Sequence, residues 1–469
     1  MLASTILSTF LLAALPQQLP EDGRGQGLFP ATWHAGRRQA LMEDPRVQNG
    51  IIVLRGAGTT NDYREFRQDN NFWYFTGITT PNAVLVLVPK TGEEYLFVPP
   101  VQASAEVWVG NLIDPEEAKA ITGIEKCLPL GARSRGFGSG RQDVSALSDL
   151  LDQLSRKHKR FLIQGQPAEN WMMSRDQLQN AVRSQSGDPY DGRASREAQF
   201  RARLDEHHKV KEVKDITVLL DAMRVRKTAQ EAQAMRRACQ ISGQAHQAVI
   251  TWAKPGHFEW QIAARMTGTM LEAGAMGPAY APIVGSGPNA NILHYNENHR
   301  AIQEGDVVLI DYGAEFQHYV ADITRSWPVS SRFTDRQREV YQAVFDAQEA
   351  AFAATKPGVL LSQVEAAAMK VLAERGFGRD CWHGISHWLG MATHDVGLRR
   401  AKLEPGMVFT VEPGVYLPEE GFGIRIEDVV MVTESGHEIL SAGIPRTVSE
   451  IEAMRAKALG QSEKQAETN

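Results

Sequence analysis

A chain of 469 residues is too long for one ordinary hydrophobic core and implies two or three domains. Its 43% hydrophobic and 23% charged composition is that of a globular protein, and a net charge of −6 offers no basic footprint for nucleic acid. Three widely spaced cysteines, Cys127, Cys239 and Cys381, exclude both a disulfide framework and a CxxC metal site.

The chain opens with an apolar run of ten residues, ILSTFLLAAL at 6–15, too short for a bilayer span but suited to the h-region of an export signal. No Lys or Arg precedes it and no clean A-x-A site follows, so an amphipathic or disordered leader is the competing reading. Residues 1–25 are assigned to this leader, which implies a periplasmic or secreted protein, with the cytoplasm as the alternative. No later stretch holds the roughly 18 uninterrupted apolar residues of a membrane helix, so no membrane span is expected.

An α/β domain is predicted over 26–170, with a helix at 32–43, strands at 50–55, 83–89 and 95–98, and a helix at 116–122. The aromatic run FWYF at 72–75 reads as a buried strand. GFGSG at 136–140 has neither the preceding strand nor the following Lys-Ser/Thr of a phosphate cradle and reads as a flexible loop. Residues 171–215 turn polar and charged, with QSGDPYDGR in their middle, and read as a linker.

The second domain is assigned to 216–460, with a disordered tail at 461–469. Thr228 and Glu231 form a capping box that opens a long helix to about Trp252. Lys254-Pro255-Gly256 breaks it, a helix follows over 258–273, and Gly274 ends that helix. The same punctuation returns 102 residues later at Lys356-Pro357-Gly358, a helix over 362–374, and Gly376. A helix-helix-strand unit used twice predicts a pseudo-symmetric domain whose halves meet at a central site.

Two hairpins carry the acidic residues. DVVLIDYGAEFQHYVADITRSWP, at 306–328, reads as two strands; with the turn centred between Phe316 and Gln317, Asp311 faces Asp322. The alternative is a bulge that shifts the register, or one aspartate in a loop. A second hairpin, 407–417 and 422–433 about the turn 418–421, sets Glu412 opposite Glu427. Facing like charges destabilise a hairpin unless they share a proton or cation. Two such pairs argue for a metal site, and four carboxylates favour two ions over one.

Histidines cluster between the halves. CWHGISHWLGMATHDVG, at 381–397, holds His383, His387 and His394, without the glutamate of HExxH; IVGSGPNANILHYNEN adds His294. Arg425 and Glu427 are two apart on a strand and share a face, as Tyr416 does with Glu412.

The set Asp311, Asp322, His387, Glu412 and Glu427 resembles that of the dinuclear metallopeptidases of pita-bread fold: methionine aminopeptidase, prolidase and aminopeptidase P. YREFRQDNNFWYFTGI, IVGSGPNANILHY, DYGAEFQHYVADITRSWPV, HGISHWLG, VEPGVY and GIRIEDVV look like the corresponding phrases of Xaa-Pro aminopeptidases. The N-terminal domain argues against methionine aminopeptidase. The resemblance implies an α+β chain: a duplicated pita-bread catalytic domain preceded by a smaller α/β domain of the creatinase/prolidase type.

By the same resemblance, Asp311 would chelate one divalent ion, His387 and Glu412 the other, and Asp322 and Glu427 would bridge them. His294, His383 and His394 match non-ligand histidines of the site, and Arg425 and Tyr416 match supporting positions. The hard ligand set favours Mn2+, with Zn2+, Co2+ or Fe2+ open. The implied reaction is hydrolysis of the N-terminal Xaa-Pro bond by a metal-bridging hydroxide, with Glu412 handling its proton. The implied partners are peptides with proline second, and the implied assembly is a homodimer or homotetramer. The alternatives are a prolidase, restricted to dipeptides, and a pita-bread hydrolase or binding protein without metal. Where the family usually reads LGLDVHD this chain has LGMATHD, with Ala392 replacing an acidic residue.

Overall fold

A computed structural model describes residues 24–25, 27–59, 65–101, 103–131, 143–169, 172, 174–208 and 210–460. The leader run at 6–15, GFGSG at 136–140 and the tail at 461–469 lie outside the described residues. Among the described residues no helix is long and apolar enough to cross a membrane.

The N-terminal part is built on a mixed six-stranded sheet. Its spatial order is Lys126–Pro129, Glu93–Val98, Val84–Val88, Ile51–Arg55, Arg160–Ile163 and Glu212–Asp215. Segments such as IIVL and VLVLV are apolar at every position because both faces of this sheet are covered. Ile51, Val53, Val86 and Ile163 face one way, against Leu147, Leu151 and Leu154 of helix Ser145–Lys157 and Leu204 of helix Arg196–His208. Ile52, Leu54, Leu85 and Leu162 face the other way, into a core continuous with the C-terminal part.

Two expectations are corrected here. FWYF lies in the helix Asn70–Thr76, not a strand, because the Asp69 side chain caps it by accepting from the Phe72 amide. Residues 171–215 are not a bare linker: they form helices Arg175–Gly187 and Arg196–His208 and the edge strand Glu212–Asp215. Their polarity belongs to helices with outward faces rather than to unstructured chain; Arg175–Gly187 buries no side chain.

In the C-terminal part the helix pair recurs as expected. Ala229–Ile250 and Glu259–Glu272 answer Asp335–Ala354 and Leu361–Glu374. Thr228 and Glu231 form the predicted capping box. Gly256 and Gly358 hold φ of +89° and +88°, a left-handed turn available to glycine in each half. Just beyond, Gln261 accepts from the Phe258 amide and Gln363 from the Leu360 amide, both at 2.8 Å. These helices cover antiparallel sheets made from Ile283–Ser286, Val307–Asp311 and Thr324–Pro328 in one half, and from Val408–Val411, Asp428–Val432 and His437–Ile439 in the other.

Candidate metal centre

The second hairpin has the expected register. Val411 pairs with Asp428, and beyond a break in the ladder Gly414 pairs with Arg425, so the intervening step sets Glu412 against Glu427. The first hairpin does not. Its turn is Gln317-His318, both at positive φ (50° and 66°), with Phe316 paired to Tyr319. This two-residue turn lies one position later than expected, so Asp311 pairs with Thr324 rather than Asp322. The chain crosses itself closely nearby: a Cβ on Gly313 would lie 1.9 Å from the Ala321 carbonyl oxygen. The two aspartates still converge, because the Tyr280 hydroxyl lies 2.6 Å from Oδ1 of each.

His387 enters from the segment after the fourth long helix. Its Nε2 lies 3.4 Å from Asp322 Oδ2, 3.4 Å from Glu412 Oε1 and 3.9 Å from Glu427 Oε1. Its Nδ1 donates to the Trp388 carbonyl at 3.2 Å, which turns Nε2 toward the carboxylates. Asp322, His387 and Glu427 each present a donor atom within 4.8 Å of the others, the spacing of a shared cation. Asp311 joins through Arg425, whose Nη2 donates to its Oδ2 at 2.7 Å. All five residues expected as ligands therefore meet.

The electrostatics of this cluster are unresolved by protein groups alone. Burial, reinforced by the charge of Asp322, pushes Asp311 up to about 6. Burial pushes Glu412 up to about 7, and burial together with Asp322, Glu412 and Asp311 drives Glu427 well above the carboxylate range. Burial works against a charge on Asp322, yet the hydrogen bond and charge of His387 hold it below its usual value. Burial disfavours the imidazolium of His387, but Asp322 and Glu412 raise it to about 9. Against four carboxyls, Arg425 and His387 are the charged partners among the described residues, with His383 3.6 Å from Glu412 held neutral, so the cluster must hold protons or cations. Oxygen donors with one imidazole suit two divalent ions, and these residues could hold them.

Around this cluster Arg425 organises a relay. Its Nε donates to Thr324 Oγ1 at 3.0 Å, and Thr324 in turn donates to Glu427 at 2.8 Å. Its Nη1 donates to the Tyr416 hydroxyl at 2.9 Å, which lies 2.7 Å from His383 Nε2. His383 Nδ1 donates to the Gly384 carbonyl at 2.9 Å, so Tyr416 donates to Nε2; burial and Arg425 lower this imidazole to about 4 and keep it neutral. The His394 ring lies 4.1 Å from that of His387, with Nδ1 3.1 Å from both oxygens of Asp176. His294 is solvent-accessible, and partial desolvation of its ring and the charge of Arg425 lower its pKa.

Tyr280 and Asp176 are site residues that the sequence reading missed. Nothing in their spacing links them to the aspartates or histidines; tertiary pairing of Gly277–Pro278 with Ala314–Phe316, and the docking of helix Arg175–Gly187, bring them in. The segment 391–395 is also gripped from the N-terminal part. Arg67 donates to the carbonyls of Met391 (3.1 Å) and His318 (3.3 Å) while pairing with buried Glu315 at 2.6 Å, and Arg224 pairs with buried Asp395.

Comparison with known proteins places this site. The profile of metallopeptidase family M24 matches residues 233–434, and that of the aminopeptidase P N-terminal domain matches 34–137. The Xaa-Pro aminopeptidase of Escherichia coli (strain K12) is 32% identical over 458 residues, covering 90% of this chain and 97% of that one. This chain belongs to metallopeptidase family M24. The Xaa-Pro dipeptidase of Homo sapiens is 31% identical, with 91% of this chain and 94% of that one covered. The structure of E. coli aminopeptidase P with the inhibitor Pro-Leu superposes with a TM-score of 0.76 at 30% identity, covering 92% of this chain and 99% of that one. That of Pseudomonas aeruginosa aminopeptidase PepP gives 0.75 at 31% identity over the same shares. As an M24 member with the aminopeptidase P type of N-terminal domain, the protein has the expected pita-bread catalytic fold and is a metal-dependent exopeptidase.

Proposed function

We propose that the protein removes the first residue from peptides with proline second, including peptides longer than two residues. The observation that carries this reading is the likeness to the Xaa-Pro aminopeptidase of E. coli over 97% of that chain, together with its N-terminal domain. A cleft of about 820 Å³, lined by His387, Trp388, His394 and Leu398 among others, adjoins the carboxylate cluster and offers room for a peptide. Prolidase is the alternative, favoured by the likeness to the human dipeptidase.

Asp311, Asp322, His387, Glu412 and Glu427 would hold two divalent ions, Mn2+ foremost because oxygen donors dominate the set. When bound, the ions supply Lewis acidity and a water acidic enough to attack at neutral pH. Glu412 would accept and return the proton of the attacking water. Arg425, Tyr416 and His383 form a fixed, water-poor wall that orients the scissile carbonyl. The leaving nitrogen of an Xaa-Pro bond is a tertiary amide without N–H and must receive a proton. His383 Nε2 is engaged by Tyr416, whereas no hydrogen bond holds His394 Nε2 among the described residues, so His394 would take up at Nε2 the proton that Glu412 removes from water and pass it to that nitrogen. Export through the 6–15 run and assembly as a dimer or tetramer belong to the same reading; the apolar run and the exposed Val107-Trp108-Val109 are what support them.

The test is hydrolysis of a matched Xaa-Pro-Yaa tripeptide and Xaa-Pro dipeptide by metal-stripped protein, with and without added Mn2+. Metal-restored tripeptide cleavage is expected. Cleavage of the dipeptide alone would make it a prolidase, and cleavage of neither with any divalent ion would overturn the reading.

A further inference from the structure

We infer that Asp176 is a positioning residue for His394: it fixes the imidazole with the proton on Nδ1 and leaves Nε2 facing the cleft as the exchanging nitrogen. This rests on the peptidase reading of the site. Asp176 comes from the polar stretch between the two domains, outside every segment that holds the carboxylate cluster, and both its oxygens lie 3.1 Å from His394 Nδ1.

An exposed carboxylate beside a histidine is ordinarily a surface pair of little consequence. Three features set this one apart. First, the carboxylate is itself held: Oδ1 accepts from the Ser174 hydroxyl at 2.5 Å and from the Gln177 amide at 2.9 Å, which fix its orientation independently of His394. Second, its helix is tied to the site. Ser174 bridges the backbone of Thr393, the residue before His394, and Arg175 pairs with Glu169 and, at 2.6 Å, with Asp221. Third, His394 sits at φ +55°, a conformation that a non-glycine residue keeps only when its surroundings impose it.

The chemistry then follows the logic of any carboxylate-imidazole pair. A carboxylate has no proton to give, so it accepts from Nδ1–H, and the lone pair must reside on Nε2. His394 lines the same cleft as His387, and no hydrogen bond engages its Nε2 among the described residues. An asparagine of the same shape would offer its amide N–H to Nδ1 as readily as its oxygen, allowing the opposite tautomer, with Nε2 blocked by its own proton.

The experiment compares Asp176→Asn, Asp176→Glu and His394→Ala, singly and with Asp176→Ala combined with His394→Ala, on metal-loaded full-length protein. Asp176→Asn should lower kcat roughly tenfold or more, with KM within about twofold and metal content unchanged. Asp176→Glu should recover most of that loss, and Asp176→Ala should cost nothing further once His394 is alanine. Independent, multiplying losses in the double variant, or an unchanged kcat in Asp176→Asn, would overturn the assignment. A readout free of turnover is the imidazole 15N spectrum of metal-free protein: His394 should show the Nδ1–H form in the wild type and a mixture in Asp176→Asn, and the same form in both would also overturn it. Were the wild type inactive on Xaa-Pro peptides, the peptidase reading would fail while the 15N result still decided the pairing.

Discussion

Arg425 and Asp311 are joined by a 2.7 Å ion pair in the buried carboxylate cluster. The same guanidinium reaches Tyr416 and Thr324, so one side chain aligns Asp311, the relay to His383 and, through Thr324, Glu427. Lysine keeps the charge but cannot make three bonds in these directions. Arg425→Lys is therefore expected to lower kcat/KM about 100-fold with the protein still folded, as measured by steady-state kinetics beside circular dichroism.

The raised carboxyls also predict how cations bind. Asp311 at about 6, Glu412 at about 7 and the second proton of His387 at about 9 must all be released before these groups can ligate. Metal affinity should therefore fall as pH drops below about 9, more steeply below about 7, and binding should release protons. Calorimetric titration in buffers of different ionisation enthalpy measures that release. Glu427→Gln should abolish both tight binding and turnover.

Tyr280 has one proton to share between two aspartates, 2.6 Å from each. Tyr280→Phe leaves Asp311 and Asp322 without this common partner. By analogy with other groups that orient metal ligands, it should weaken ion binding roughly 10- to 100-fold, read by competition with a chelator.

Two buried histidines that the cluster does not use set acid stability: His34 in the N-terminal part, and His246, whose Nε2 bonds the Tyr312 carbonyl next to Asp311. Burial lowers His34 to about 4 and His246 to about 3, against 6.5 in the unfolded chain. Between those values the unfolded state binds more protons, so stability is full above about pH 6.5 and is lost as pH falls; His34 alone contributes about 3 kcal/mol. Asp69 and Asp221, pushed up to about 6 by burial, oppose this trend, since their contribution is lost as pH rises. The informative quantity is thus a difference: His246→Gln should flatten the fall in urea midpoint below about pH 6 relative to the wild type.

How much of this was legible in sequence depended on whether local rules governed each residue. Glu412 and Glu427 oppose as expected because the turn between them, Pro418–Glu420 closed by left-handed Gly421, centres where its composition says it does. Asp311 and Asp322 do not, because Gln317-His318 adopts positive φ without the Asn or Gly that would announce it. Of the alternatives left open, one aspartate in a loop is observed, since Asp322 lies between Tyr319–Val320 and Thr324–Pro328; the register is shifted by the turn and not by a bulge. The repeat was readable from its KPG punctuation, and the ligand histidine from its family resemblance. Tyr280 and Asp176 were invisible because each acts through a contact made only after distant segments dock; the cap at Asp69 is local, to the Phe72 amide, and was masked by the strand-like aromatic run that follows it.

The grip of Arg67 on Glu315 and of Arg224 on Asp395 reaches beyond the geometry of one loop. Every residue expected to bind metal lies C-terminal to position 300, yet Glu315 and Asp395 are buried against cations encoded before position 230. A gene fragment that starts after those arginines would keep the whole ligand set, strand the charge of Glu315 and leave Asp395 with Lys227, 3.7 Å away, a loss of about 3–5 kcal/mol for a broken buried pair. The catalytic half is therefore a chemical unit that leans on the rest of the chain for its interior charges, and calorimetry of the intact chain should trace a single endotherm.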